Sequence, residues 1–184
     1  MRTVTSDKTY TVEEYVRHEW TAPARSEFIN GQLFEMPGEK DINNEIAGRL
    51  LYILMSTLKT KGYHIYAFDI KVKIYGENKY YYPEVFVTKE PETEKNQYIK
   101  NEPILIVEVV SETSQVTDYV DKYIDYTKIP SLQYYLIVEP ETTLITCYTK
   151  GENGEWHTTK HTKPSDEVKL ASLEVVFQLK QVYP

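Results

Sequence analysis

Six of the seven residues from Ile104 to Val110 are aliphatic, and the seventh is Glu108. A run this apolar reads as a strand buried on both faces. After a short polar break, Asp118, Lys122 and Tyr126 recur at steps of four, which predicts a helix carrying all three on one face. Upstream, Thr11 with Glu14 three residues later is a capping-box pattern that opens a helix over VEEYVRHEW, ended by Ala22-Pro23. SEFI and QLFEM flank Asn30-Gly31, the strongest short hairpin signal, with Glu27 on its first strand. Pro37-Gly38 breaks the chain. From about Asp41 to Lys61 the stripe of Ile42, Ile46, Leu50, Ile53, Leu54 and Leu58 predicts a long amphipathic helix, with Asp41 suiting its start and Gly62 its stop.

Alternation takes over next. His64 to Tyr75 reads as one long strand, with Tyr66, Phe68, Ile70, Val72 and Ile74 on one face and Asp69, Lys71 and Lys73 on the other. A turn at Gly76–Asn78 leads to a strand over residues 80–87, in which Pro83 costs one ladder hydrogen bond and marks an edge or bulge. Residues 88–102 are polar and read as a surface loop. Beyond the central strand and helix, Ile129-Pro130 closes the helix and LQYYLIVE forms another apolar strand. TLITCYT and EWHTTKH continue as a meander around a turn at residues 151–154. The tail from Leu170 holds a short strand and a last helical turn. The pattern shows no repeat or linker. It predicts one α/β domain over residues 1–184 with a mixed central β-sheet flanked by helices, and a crossover between parallel strands at the central helix.

Composition narrows the function. At 41% hydrophobic and 27% charged, the 184-residue chain is globular. Its 17 tyrosines suit strands and half-buried surfaces, and would equally suit base stacking. The single cysteine, Cys147, excludes an internal disulfide and a cysteine-based zinc site. The first residues lack the apolar core of a signal peptide, and no run is long enough to span a bilayer, so a cytoplasmic protein is expected. A formal net charge of −7 argues against a broadly basic nucleic-acid-binding surface. It leaves room for a local basic groove or an acidic site offset by cations.

The chemistry lies in acids placed where acids are costly. Glu108 sits in the buried run, Glu84 is bracketed by Pro83 and apolar residues, and Glu27 lies in the hairpin. A buried carboxylate needs a cation or a metal. Two strand carboxylates would suit Mg²⁺, which takes oxygen ligands, and a nearby lysine would orient a water. Lys122 is the best-placed lysine, near Glu108 in sequence and on the next helix. It has a plainer reading as an i,i+4 partner of Asp118, and Glu27 and Glu84 as solvent-facing or lysine-paired strand residues. His157 and His161 would share a strand face without a third ligand. Ser111 and Ser114 read as loop or cap residues.

These motifs together resemble the Uma-type family of restriction endonuclease-like proteins, within the PD-(D/E)xK nuclease superfamily, over roughly residues 9–183. The likeness rests on Glu27–Gly31, on the long helix with IAGRL, on Pro83-Glu84-Val85 and on Val107–Ser111. It rests also on Asp118, Lys122 and Tyr126, and on Tyr134–Pro140. It implies a restriction endonuclease-like α/β domain with an N-terminal hairpin. It also implies a Mg²⁺-dependent endonuclease, Mn²⁺ being an alternative ion, acting on nucleic acid, DNA foremost. Glu84 and Glu108 take the positions of the metal-binding acids, joined by the backbone carbonyl of Val109. Val110 occupies the usual place of the lysine, which nominates Lys122 on the next helix, and Glu27 takes the position of an additional acid. Two departures stand out: Glu84 replaces an aspartate, and Asn43 stands where the long helix often carries a histidine. Cleavage of both strands of a duplex implies a homodimer by analogy with the fold. A nuclease fold kept for nucleic-acid binding without turnover, and a purely structural interaction protein, are the competing readings.

Overall fold

The computed structural model describes residues 8–36, 38, 40–93, 97–110 and 117–184. Pro37, Ser111 and Ser114 therefore fall outside the described residues, as does the side chain of Asp118 and with it the expected Asp118–Lys122 pair.

Local signals set the first elements. Helix α1 (Val12–Glu19) opens with the reciprocal capping box of Thr11 and Glu14. Strands β1 (Ser26–Ile29) and β2 (Gln32–Glu35) form the expected hairpin, with Asn30 and Gly31 both at positive φ, as a two-residue turn demands. Helix α2 (Asp41–Leu58) is followed by a single 3₁₀ turn over Lys59–Lys61, and Gly62 stops it in the left-handed conformation.

The two long strands are corrected by the structure. His64–Tyr75 divides into β3 (His64–Ala67) and β4 (Lys71–Lys73), and residues 80–87 divide into β5 (Lys79–Tyr81) and β6 (Val85–Thr88). β3 pairs with β6 and β4 pairs with β5, so the four are one long hairpin that passes from one sheet to another. At the joint, Phe68 adopts φ 64° and its N–H donates to the Glu84 carbonyl. The pairings Ala67↔Val85 and Val72↔Tyr81 leave one more residue on the β3–β4 side, which is a bulge. Phe68 is consequently exposed and Lys71 buried, the reverse of simple alternation. Pro83 sits in this joint, and β6 is internal to its sheet.

After β7 (Ile99–Lys100), the apolar run forms β8 (Pro103–Val109), flanked by β6 and β9 (Tyr134–Glu139). A wide π-helical turn over Thr117–Lys122 continues into α3 (Tyr123–Tyr126), and β9 then runs parallel to β8. The meander β10 (Leu144–Lys150) and β11 (Trp156–His161) follows, then a ribbon of β12 (Glu167–Leu170) and β13 (Val175–Gln178).

The six-stranded sheet has the order β11-β10-β9-β8-β6-β3, and the five-stranded sheet the order β2-β1-β5-β4-β7. Three apolar layers hold them. α2 and the β12–β13 ribbon cover one face of the six-stranded sheet through Ile46, Leu50, Val107, Val109 and Phe177. The other face packs on the five-stranded sheet, with Phe86, Ile106 and Ile137 meeting Val72, Ile74 and Tyr81, and Tyr126 filling in from α3. α1 covers the outside of the five-stranded sheet through Tyr15 against Phe28 and Tyr80.

Candidate functional site

Strand parity directs Glu27 and Glu108 to one layer. Phe86 and Ile106 face the space between the sheets; Glu108 lies two residues past Ile106 on that same face of β8, and Glu84 lies in the joint just before β6. β6 and β8 pair Val85 with Val107 and Phe86 with Ile106, so Glu84 stands opposite Glu108 one step past the last pair. From the other sheet, Ile29 packs into this layer, and Glu27 shares its face of β1. All three acids are buried, at 5% exposure for Glu27, 9% for Glu84 and 3% for Glu108.

The helix after β8 supplies the cation. Lys122 is 7% exposed, and its Nζ lies 2.9 Å from Glu108 Oε1 and 3.2 Å from Glu27 Oε1. The Tyr126 hydroxyl, one turn on, donates to the same Glu108 Oε1 at 2.7 Å. Burial, and then the charge of Glu108, push the Tyr126 phenol well above its ordinary pKa, so it remains a donor. The ring is wedged edge-on between Tyr81 and Tyr135. Residues on β1, β8 and the helix are thus brought into direct contact, with Glu84 buried at the sheet joint one register step past the Val85–Val107 pair.

A second buried network steadies the helix. Asp125, 2% exposed, accepts from Lys79 at 2.8 Å, from Tyr81 at 2.6 Å and from Lys128 at 3.1 Å. Burial works against the Asp125 carboxylate, but these three donors outweigh it and hold its pKa below the ordinary value. The Tyr81 ring also lies 5.8 Å from Lys122 Nζ. This network pins the helix to β5, and hence Lys122 over the acids. Asp125, Lys79 and Tyr81 went unrecognised in the sequence reading. Tyr126 was visible only as a face-mate of Lys122; its step of four was the available signal.

The donor chemistry suits a hard divalent cation. Three carboxylates and one ammonium carry two formal negative charges in excess. Val109 adds a main-chain oxygen. The Val85↔Val107 pair, with Phe68 bonding to Glu84 on the far side, makes residues 85 and 107 the mutually hydrogen-bonded pair. The next such pair is Pro83 with Val109. Proline has no N–H, so the Val109 carbonyl is not tied up by its ladder partner. Two carboxylates and a carbonyl are ligands that Mg²⁺ accepts while keeping several waters. Among the described residues no group of three His, Cys, Asp or Glu side chains converges on a common metal position, so any ion here relies on main-chain and water oxygens as well. His157 and His161 on β11 gain no third ligand among those residues.

A mixed sheet closed by a helix over buried acids and a lysine is a nuclease-like architecture. A similar fold appears in the crystal structure of "a putative nuclease belonging to DUF820" from Anabaena variabilis ATCC 29413. That chain matches with a TM-score of 0.76 over 95% of this chain and 97% of its own, at 16% identity, a likeness of fold. The Uma2 family model, described as "Putative restriction endonuclease", matches residues 12–181, and the chain belongs to that family. Two relatives come from Synechocystis sp. (strain ATCC 27184 / PCC 6803 / Kazusa). "Uncharacterized protein slr1290" is 29% identical over 171 residues, covering 93% of this chain and 90% of its own length. "Uncharacterized protein sll1609" is 28% identical over 177 residues, covering 95% and 100%. No helix among the described residues is long and apolar enough to cross a membrane.

Proposed function

We propose that the protein is a Mg²⁺-dependent endonuclease that hydrolyses phosphodiester bonds in DNA, with Mn²⁺ as an alternative ion. The observation that carries this reading is Lys122 held between Glu27 and Glu108, with Glu84 buried just before β6, next to β8. Glu84, Glu108 and the Val109 carbonyl would hold the ion, which when bound polarises a phosphate oxygen and offsets charge developing on the phosphate. Lys122 is a positioned donor that orients the attacking water. An ammonium pinned by two carboxylates loses little freedom when that water arrives. Glu27 fixes Lys122 from the second sheet, and Tyr126 fixes the carboxylate of Glu108. A duplex needs one centre for each strand, so we place the enzyme as a homodimer, in the cytoplasm where its substrate lies.

The glutamate at position 84 favours a second reading, a nuclease fold that binds nucleic acid without turnover, since a side chain one methylene longer alters the carboxylate's reach. Plasmid and linear DNA incubated with Mg²⁺ or Mn²⁺ separate the two. Wild type is expected to cleave, and Glu108→Gln and Lys122→Met to lose at least about 100-fold in rate. Equal cleavage by all three proteins would sink the assignment. Salt-sensitive DNA binding by wild type without cleavage would establish the second reading.

A further inference from the structure

The outward face of α2 and of the turn that continues it carries Asp41, Glu45, Gly48, Tyr52, Met55 and Lys59, all exposed and spaced alternately four and three residues apart. That spacing keeps a single stripe along the helix, the seam on which two helices pack. Two large apolar side chains lie in it, Tyr52 at 73% exposure and Met55 at 41%. An open groove runs beside Tyr52, lined by Glu45, Gly48, Arg49, Ile53 and Gln181. A Cβ on Gly48 would meet nothing within 4 Å, so the packing of this chain does not call for glycine there. Glycine inside a helix is disfavoured against alanine, and its use is to let another group approach the backbone closely.

The two ends of the stripe carry opposite charges that the chain leaves unmatched. The Asp41 carboxylate accepts from the Ile42 N–H at 2.8 Å, and neither Asp41 nor Lys59 has an ion-pair partner among the described residues.

We propose that this stripe is the contact between two copies of the chain, packed through antiparallel α2 helices about a two-fold axis between Gly48 and Tyr52. In that register residue 52 of one copy falls opposite residue 48 of the other, 45 opposite 55, and 41 opposite 59. Each Tyr52 ring enters the groove at the other copy's Gly48, and each Asp41 meets a Lys59. The antiparallel arrangement also sets the positive end of each helix dipole beside the negative end of the other. The inference goes beyond the nuclease reading: it assigns the surface of the homodimer and holds with or without turnover. The stripe faces away from the six-stranded sheet, and Glu108 and Lys122 lie on that sheet's other face, so pairing leaves the site open. A seam one helix long is smaller than most stable interfaces, so a Kd on the order of 10 µM is expected.

Sedimentation velocity on the full chain from about 1 to 200 µM reads the association. Wild type is expected to pass from monomer to dimer across that range. Gly48→Arg fills the groove from a position with open space around it, so it is expected to melt no lower than wild type and to associate at least about 10-fold more weakly. Asp41→Lys and Lys59→Asp each bring like charges together at both ends and should weaken association roughly 10-fold. Their equimolar mixture should regain the wild-type affinity, since both ends then join unlike charges. A wild type that stays monomeric throughout, a dimer that Gly48→Arg leaves unchanged, or a mixture no tighter than its components would overturn the proposal. Cleavage of DNA is read separately, so the nuclease reading does not fall with it.

Discussion

Replacing Lys122 by methionine keeps the stem and removes the charge, which isolates the ammonium's contribution. Its contacts of 2.9 Å with Glu108 and 3.2 Å with Glu27 are each worth ~5–6 kcal/mol of Coulomb energy at an effective dielectric of about 20, before the cost of burying the charges is counted. Most of that gross energy offsets desolvation, and breaking buried pairs from one side costs about 3–5 kcal/mol. Lys122→Met leaves two carboxylates at 5% and 3% exposure beside each other without their shared cation, so the upper half of that range is expected. With a urea slope of about 2 kcal/mol/M, the unfolding midpoint falls by roughly 2–2.5 M. The companion variants locate the cause. Lys122→Met with Glu27→Gln recovers part of the loss, and adding Glu108→Gln recovers most of it, since neutral groups of like volume no longer need the cation. A Lys122→Met midpoint within about 0.3 M of wild type would refute the argument, as would a triple variant no better than the single one.

Two further outcomes follow from the same geometry. Asp125 has its pKa depressed by Lys79, Tyr81 and Lys128, so its contribution is fully present above the ordinary aspartate value of 3.8 and is lost as pH falls through the lower folded value. Asp125→Asn is expected to lower stability by about 2–3 kcal/mol at pH 7, and urea melts across pH 2–7 should show the gap to wild type closing below about pH 4. Pro83→Ala supplies an N–H opposite Val109. Calorimetry should show Mg²⁺ affinity reduced by roughly 10-fold. The melting temperature should shift by only ~2–4 °C, the effect of one relaxed backbone position. An unaltered affinity would show that the Val109 carbonyl takes no part.

Much of the fold is legible in the chain because its signals are local. The capping box at Thr11, the Asn30-Gly31 turn, the α2 stripe with Gly62 behind it and the buried run at β8 each act within a few residues of themselves. Their energies depend little on what packs outside. The long hairpin is the instructive failure. Alternation through residues 64–75 and 80–87 is consistent with two straight strands, and nothing within either window records that the partner strand belongs to a different sheet on each side of Phe68 and Glu84.

For the site, burial of Glu108 is written in its neighbours, and Lys122 and Tyr126 share a helix face by spacing alone. That Glu27 meets Lys122 depends on the five-stranded sheet lying over the six-stranded one, an arrangement made by the layer of Val72, Ile74, Tyr81, Phe86 and Ile106. The Asp125 network and the unpaired Asn43 are likewise invisible in one dimension. A surface polar residue and a buried one have the same letter, and only packing decides which carboxylate or amide loses its water and must find another partner.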